Sequence, residues 1–245
     1  MANWPDPRTT MQGTPVGTAS QSDVAYDAGL RSYMLKVYNY MASGVLLTGI
    51  VAMLFASSGM AAEIMFGGGP LKWLIILSPL AIVLMMSFGQ NKFSTPALQA
   101  MFWGFATLMG LSMSTIFLVY TGTSIAQTFF ATSAAFLGLS LYGYTTKKDL
   151  SGWGSFLIMG VIGLLVAMVI NIFLKSSMMH LVISAIGVLV FAGLTAYDTQ
   201  RIKSMYAYVA GTDMVGKTVV LSALSLYLDF INMFQFLLTF MGSQE

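Results

Sequence analysis

Residues Thr218–Phe240 read TVVLSALSLYLDFINMFQFLLTF, and how this stretch is disposed decides the fold. At roughly 20 residues it is long and apolar enough to cross a bilayer as a helix, yet its middle carries a carboxylate, Asp229. Ser222, Ser225, Asp229 and Asn232 follow one another at spacings of three, four and three residues. At about 100° per residue those spacings gather them within an arc of about 80°, which Gln235 widens. One side of the helix is therefore polar. An ionisable group in hydrocarbon normally faces a partner or a water-filled path, so Asp229 is a candidate functional residue by default.

The rest of the chain shares the apolar character of that segment. Of its 245 residues 57% are hydrophobic and 8% charged, with a mean hydropathy of +0.78. A soluble globule needs a charged surface and is excluded; the chain reads as an all-α polytopic membrane protein. A net charge of +2 without a basic run argues against nucleic acid as a partner. The absence of cysteine excludes disulfides and thiolate chemistry. The 20 methionines are scattered, as adaptable packing requires, rather than arrayed as copper ligands. His180, the only histidine, sits near a span end without the neighbours a metal needs. Gly67-Gly-Gly-Pro70 is a loop and not a phosphate cradle, because no Lys-Ser/Thr follows it. No cofactor is expected.

Seven segments reach the length of roughly 20 residues that a crossing needs: Tyr38 to Ser58, Trp73 to Gly89, Ala97 to Tyr120, Ser124 to Tyr144, Trp153 to Leu174, Met178 to Thr199 with a possible extension to Tyr206, and Thr218 to Phe240. Together they form a transmembrane domain over residues 38–240. Residues 1–24, rich in Thr, Ser, Gly, Pro and Gln, read as a disordered cytoplasmic leader, and residues 241–245 as a short tail. Over residues 25–37, Tyr26, Leu30, Tyr33 and Met34 recur at helical spacing beside Arg31 and Lys36. That pattern suits an amphipathic helix lying at the headgroup layer before the chain turns inward. Ala131, Ala134, Ala135 and Gly138 form a small-residue stripe suited to close helix packing. Pro79 is expected to kink its span and Pro96 to start one.

Positive charge sets the orientation. Arg8, Arg31, Lys36, Lys92, Lys147, Lys148, Arg201, Lys203 and Lys217 fall on the leader's side, which is 9 of the 11 basic residues; Lys72 and Lys175 fall opposite. The N-terminus is therefore expected in the cytoplasm and, with seven crossings, the C-terminus outside. A last segment that dips in and returns would instead leave the C-terminus cytoplasmic.

A second carboxylate, Asp198, lies in the sixth span, where Ser184, Gly187, Phe191 and Thr195 share its face. If that helix runs past Thr199, both aspartates lie about 10 to 15 Å in from the cytoplasmic ends at 1.5 Å per residue, and the two carboxyls can be neighbours. A facing pair would share a proton and titrate as one unit. The competing reading is that each aspartate separately caps a helix or bonds a backbone amide, with Arg201 close to Asp198 on the same helix.

Three strings carry a family resemblance: Ala223-Leu-Ser-Leu-Tyr-Leu-Asp-Phe-Ile-Asn232, Ala196-Tyr-Asp-Thr-Gln200 and Tyr144-Thr-Thr-Lys-Lys-Asp-Leu-Ser-Gly-Trp153. They resemble the signature stretches of the Bax inhibitor-1 family, also called the transmembrane Bax inhibitor motif family. The run from Asp27 to Met41 is similar to that of its bacterial members, so the resemblance implies a bacterial inner membrane. It also implies six helices around a central last one, and a pH-sensitive calcium leak gated by an aspartate pair at Asp198 and Asp229. Some members close with a basic latch at the cytoplasmic end of the second span; here the string is Ser87-Phe-Gly-Gln-Asn-Lys-Phe93, so Lys92 is a candidate and Arg201 a substitute.

Calcium takes several oxygen ligands, and the two carboxylates with nearby hydroxyls and an amide offer a weak, hydrated site suited to passage. Asp198 and Asp229 are thus the expected gating pair and transient calcium ligands, with Ser184, Thr195, Ser222, Ser225 and Asn232 lining the pore. The expected partners are the bilayer, calcium ions and protons. A proton-coupled cation exchanger could use the same pair alternately. An intramembrane aspartyl protease would need Gly-x-Gly-Asp where the chain has Leu226-Tyr-Leu-Asp229, so a non-enzyme is expected. No lysine lies in mid-span to hold retinal as a Schiff base, and a scaffold restraining a cell-death partner leaves the polar stripe without a cause.

Overall fold

The computed structural model describes residues 21–243. Most of the leader, with Arg8, and the last two residues of the tail lie outside them. Among the described residues there is no strand, and nine helical elements follow one another: α1 (Gln21–Ser57), α2 (Met60–Phe66), α3 (Pro70–Gly89), α4 (Thr95–Met113), α5 (Ile116–Val119), α6 (Gly122–Thr145), α7 (Ser151–Leu174), α8 (Ser177–Val209) and α9 (Met214–Met241). Seven helices among the described residues are long and apolar enough to cross a membrane, α4 and α5 counting as one.

Local chemistry explains the boundaries. Pro70 and Pro96 stand in the first turns of α3 and α4, where a missing N–H costs nothing. Thr121 and Ser176 accept backbone N–H bonds from Ser124 and Met179 at 3.2 Å each, capping α6 and α8. Gly59, at φ 77°, supplies the left-handed turn between α1 and α2. The third span is interrupted at Ser114–Thr115, where the Ser114 hydroxyl donates to the Leu111 carbonyl at 2.7 Å.

The last helix is central. It packs extensively against α1, α4, α6 and α8, while α3 leans on α4 and α7 on α8. Tyr227, Leu226, Val220 and Ala223 of α9 are wholly enclosed, against Phe102 and Phe105 of α4 among others. Nor does α9 dip and return. It is one unbroken helix, and past its end the Ser243 amide donates to Ser124 Oγ at 2.9 Å, at the start of α6.

Two expectations change. The segment 25–37 is continuous with the first span in a single rod, and its apolar residues Leu30, Tyr33, Met34 and Val37 are buried in the bundle. Periodic apolar residues mark a buried face, whether the cover is headgroup or protein. The stripe Ala131, Ala134, Ala135, Gly138 points outward, with nothing within 4 Å of a Cβ built on Gly138. The opposite face of α6, with Ser124, Thr128, Thr132 and Ser140, is the buried one, since hydroxyls left facing acyl chains would lack partners whereas Ala and Gly lose nothing there.

Close approach of α6 to α8 rests instead on Gly143, where a Cβ would collide with the Ala196 carbonyl. Gly143→Ala is therefore expected to lower stability by roughly 1 to 3 kcal/mol, read as melting temperature in detergent micelles, while Gly138→Ala leaves it unchanged.

Candidate functional site

The sixth span runs well past Thr199, to Val209. At 1.5 Å per residue Asp198 stands about 16 Å from that end and Asp229 about 22 Å from the start of α9 at Met214. Asp229 is thus deeper than the 10 to 15 Å expected, because α9 begins a full turn earlier than its apolar run. Both aspartates are buried, at 8% and 4% exposure. They lie on the two most extensively packed helices of the bundle.

Their surroundings differ. Asp198 Oδ2 accepts a hydrogen bond from Ser225 Oγ of α9 at 2.5 Å, a bond between the two helices. Asp229 Oδ2 is buried with no hydrogen-bond partner among the described residues. An orphaned carboxylate oxygen inside a membrane protein is unfavourable by several kcal/mol unless a proton or a cation meets it.

Asp198 opens onto a cavity of about 170 Å³ at the basic end of the bundle, whose lining includes Gln90, Arg201, Lys217, Ser222 and Ser225. Arg201 lines it three residues on from Asp198 in α8. At the other end of α9 a second cavity, of about 240 Å³, is bordered by Ser112, Thr115, Tyr120, Gln235 and Thr239. Between Ser225 and Gln235 lie ten residue steps of α9, about 15 Å of helix, holding Asp229 and Asn232. Neither aspartate, Ser184, Thr195 nor Asn232 borders the second cavity, and only Asp198 of the pair borders the first.

The hydroxyls assigned to a pore are distributed unevenly. Ser222 and Ser225 belong to the basic-end cavity. Ser184, fourteen residues from Asp198 and near the far end of α8, donates to the His180 carbonyl at 2.8 Å, and Thr195 to the Phe191 carbonyl at 2.8 Å. Asn232 Nδ2 donates to the Leu228 carbonyl at 2.7 Å, so its carbonyl oxygen remains for another partner. Lys92 lies exposed on the α3–α4 turn and is not among the cavity's lining residues; Arg201 is.

Several contributors were not singled out in the sequence. Tyr33 of α1 is 2% exposed, with its hydroxyl 3.3 Å from Ser222 Oγ. Tyr38, Ser140 and Thr199 link α1, α6 and α8 by hydroxyl contacts of 2.5 and 3.0 Å. Tyr227 meets Thr48 at 2.6 Å. Gln200, adjacent to the Asp198 motif, accepts from the Leu150 amide and donates to the Lys148 carbonyl, both at 2.8 Å. It fastens the α6–α7 loop to α8.

Comparison with known proteins places the chain. The family model described as Inhibitor of apoptosis-promoting Bax1 matches residues 30–245. The chain is similar to the uncharacterized protein RP147 of Rickettsia prowazekii, at 48% identity over 93% of this chain and 96% of that one. It is 43% identical to the inner membrane protein YbhL of Escherichia coli K12, over 92% of this chain and 97% of the relative. The uncharacterized membrane protein SpyM3_0260 of Streptococcus pyogenes is 36% identical, over 89% and 96% of the two chains. This is an integral membrane protein with relatives in the bacterial inner membrane.

Loss of the Gln200 clamp frees two hydrogen bonds of the α6–α7 loop, each worth about 1 kcal/mol. Gln200→Ala should therefore speed amide hydrogen exchange at Leu150 by roughly fivefold or more, with α9 unaffected; unchanged exchange at Leu150 would contradict the clamp.

Proposed function

The chain belongs to the Bax inhibitor-1 family, and on that premise we propose that it is a pH-sensitive calcium leak of the inner membrane, gated by Asp198 and Asp229 acting as one proton-sharing pair. The observation that carries this reading is the orphaned Asp229 oxygen in the middle of the central helix, between a polar cavity at each end. A proton or a calcium ion satisfies it, and which one is present decides the state of the gate.

In the resting state Asp198 is held by Ser225 and drawn toward Arg201 at the cavity mouth. Protonation of the pair weakens the charge-assisted bond from Ser225 to Asp198 that ties α9 to α8, α9 loosens from α8, and the two cavities join past Asn232. Passing calcium then meets the carboxylates, the hydroxyls of Ser222 and Ser225 and the Asn232 carbonyl oxygen. Among the described residues no third His, Cys, Asp or Glu joins the pair, which suits weak, transient coordination rather than storage. The basic end faces the cytoplasm in this reading, by the excess of Lys and Arg there.

The full chain reconstituted in liposomes should leak calcium faster as pH falls between about 8 and 6, the range a buried carboxylate pair can reach. Asp229→Asn should flatten the profile, and His180→Gln should leave it intact, since His180 is exposed at the far end of α8. Asp149 does not enter the titration: bonds from the Ser151 side chain and amide hold its carboxyl below the usual range, so it stays ionised throughout. A flat wild-type profile refutes the gate, and calcium uptake driven by an imposed proton gradient assigns an exchanger instead.

Arg201→Gln should raise the leak near pH 8 toward the rate seen at pH 6, with little change on the acid side. An unaltered rate at high pH would remove Arg201 from the latch.

A further inference from the structure

Where α1 and α6 run side by side they do not pack extensively against each other. The gap is bridged by the contact of Tyr38 with Ser140, and a cavity lies on each side of that bridge. Toward the basic end one of about 470 Å³ is bounded by Arg31, Leu35 and Tyr38 of α1 and by Leu137, Leu141 and Tyr144 of α6. Toward the other end one of about 390 Å³ is bounded by Val45, Leu46, Ile50, Ile125, Phe129 and, from α9, Phe230. From one cavity to the other, Tyr38 to Val45 on α1 is a step of seven and Phe129 to Leu137 on α6 a step of eight, so one face of each helix borders both cavities. They form one seam, floored at its far end by Phe230 of the central helix.

The seam continues the lipid-facing surface. Leu35, Leu46, Ile50, Leu137 and Leu141, on its lips, are all exposed, and exposure in a membrane-spanning helix means contact with hydrocarbon. Water does not suit so apolar a gap, and an empty one forfeits the dispersion contacts of its walls. One charged group stands out: Arg31, exposed and seven residues into the spanning part of α1, about 10 Å from its start at Val24. That is the depth of the headgroup layer, and none of the residues around the lower cavity is acidic. The hydroxyls of Tyr38 and Ser140 already satisfy one another, which leaves the Arg31 guanidinium as the charged group on the cavity wall.

We propose that the α1–α6 seam is a phospholipid site, with the lipid phosphate on the Arg31 guanidinium and an acyl chain lying along Leu35, Leu137 and Leu141. A planar guanidinium pairs with phosphate through two parallel hydrogen bonds, and the leucines supply the hydrocarbon surface the chain needs. The occupant comes from the leaflet at the basic end. The site requires only that the chain spans a membrane and stands or falls independently of calcium conduction.

Native mass spectrometry of the full chain, delipidated in detergent, tests this with added phosphatidylglycerol, diacylglycerol of the same chains, or glycerol phosphate. Phosphatidylglycerol should be retained and Arg31→Gln should weaken its retention about tenfold, the worth of one charge-assisted hydrogen bond. Arg31→Lys should recover part of it. Leu137→Trp combined with Leu141→Trp should fill the groove and abolish retention; both leucines are exposed, at 67% and 63%, so an unchanged melting temperature is expected. Equal retention by Arg31→Gln and wild type, or persistent binding in the tryptophan pair, overturns the site. So does displacement of the lipid by glycerol phosphate, which assigns a soluble-anion site, or a dimer that the tryptophan pair dissociates, which assigns the seam to a second copy.

Discussion

Hydrocarbon offers no hydrogen bonds, and the arrangement of the helices follows from that constraint. The span with the polar stripe, α9, is the most buried of the seven, and α7, the most apolar, is the least buried. A polar helix at the periphery would expose Ser222, Asp229 and Asn232 to acyl chains, at several kcal/mol for the carboxylate alone. Placed at the centre, it buries Ser222 and Asp229 and leaves Asn232 half-buried. The same rule turns α6 so that Ser124, Thr128, Thr132 and Ser140 face inward while Ala131, Ala134 and Ala135 face lipid. Most buried hydroxyls are satisfied within their own helix, as Thr195 and Thr132 are by carbonyls one turn back. Such bonds leave the helix free to slide.

Bonds between helices are therefore few, and their placement matters. Tyr33 to Ser222 and Thr48 to Tyr227 tie α1 to α9; Ser225 to Asp198 ties α9 to α8; Ser140 to Thr199 ties α6 to α8. Around Tyr227, Phe102 and Phe105 pack edge to face at centroid distances of 6.2 and 5.1 Å, which fixes the helix firmly on the α4 side. The α8 side is held near the site by a bond to a titratable group. If α9 moves when the pair changes protonation, the tie that changes is the one from Ser225 to Asp198.

Much of this was readable from the chain. Runs of about 20 apolar residues mark spans because the bilayer sets their length, and the three-four-three spacing by itself places Ser222, Ser225, Asp229 and Asn232 on one face. Less was readable where one pattern serves two environments. Tyr33 and Met34 are apolar at helical spacing whether headgroups or α8 and α9 cover them, and Ala131 and Gly138 permit close packing without requiring it. Gln200 was illegible for a different reason: its partners, Lys148 and Leu150, lie some 50 residues away, beyond any local periodicity. The basic residues show the limit of motif transfer, since the string around Lys92 lacks the arginine and the cation that shares a cavity with Asp198 is Arg201 of Asp198's own helix.

In the leak proposed for this chain the two carboxylates would play unequal parts. Asp198 borders the basic-end cavity and already has a hydrogen-bond donor in Ser225, so an ion arriving there meets a partly satisfied group at little cost in dehydration. Asp229 lies deeper, 4% exposed and bordering neither cavity. On the proposed reading an ion would reach its unpartnered oxygen only by disturbing the packing around α9. The free energy gained when that oxygen is satisfied, of the order of several kcal/mol, would then be opposed by the cost of that disturbance, and protonation of the pair would shift the balance between the two.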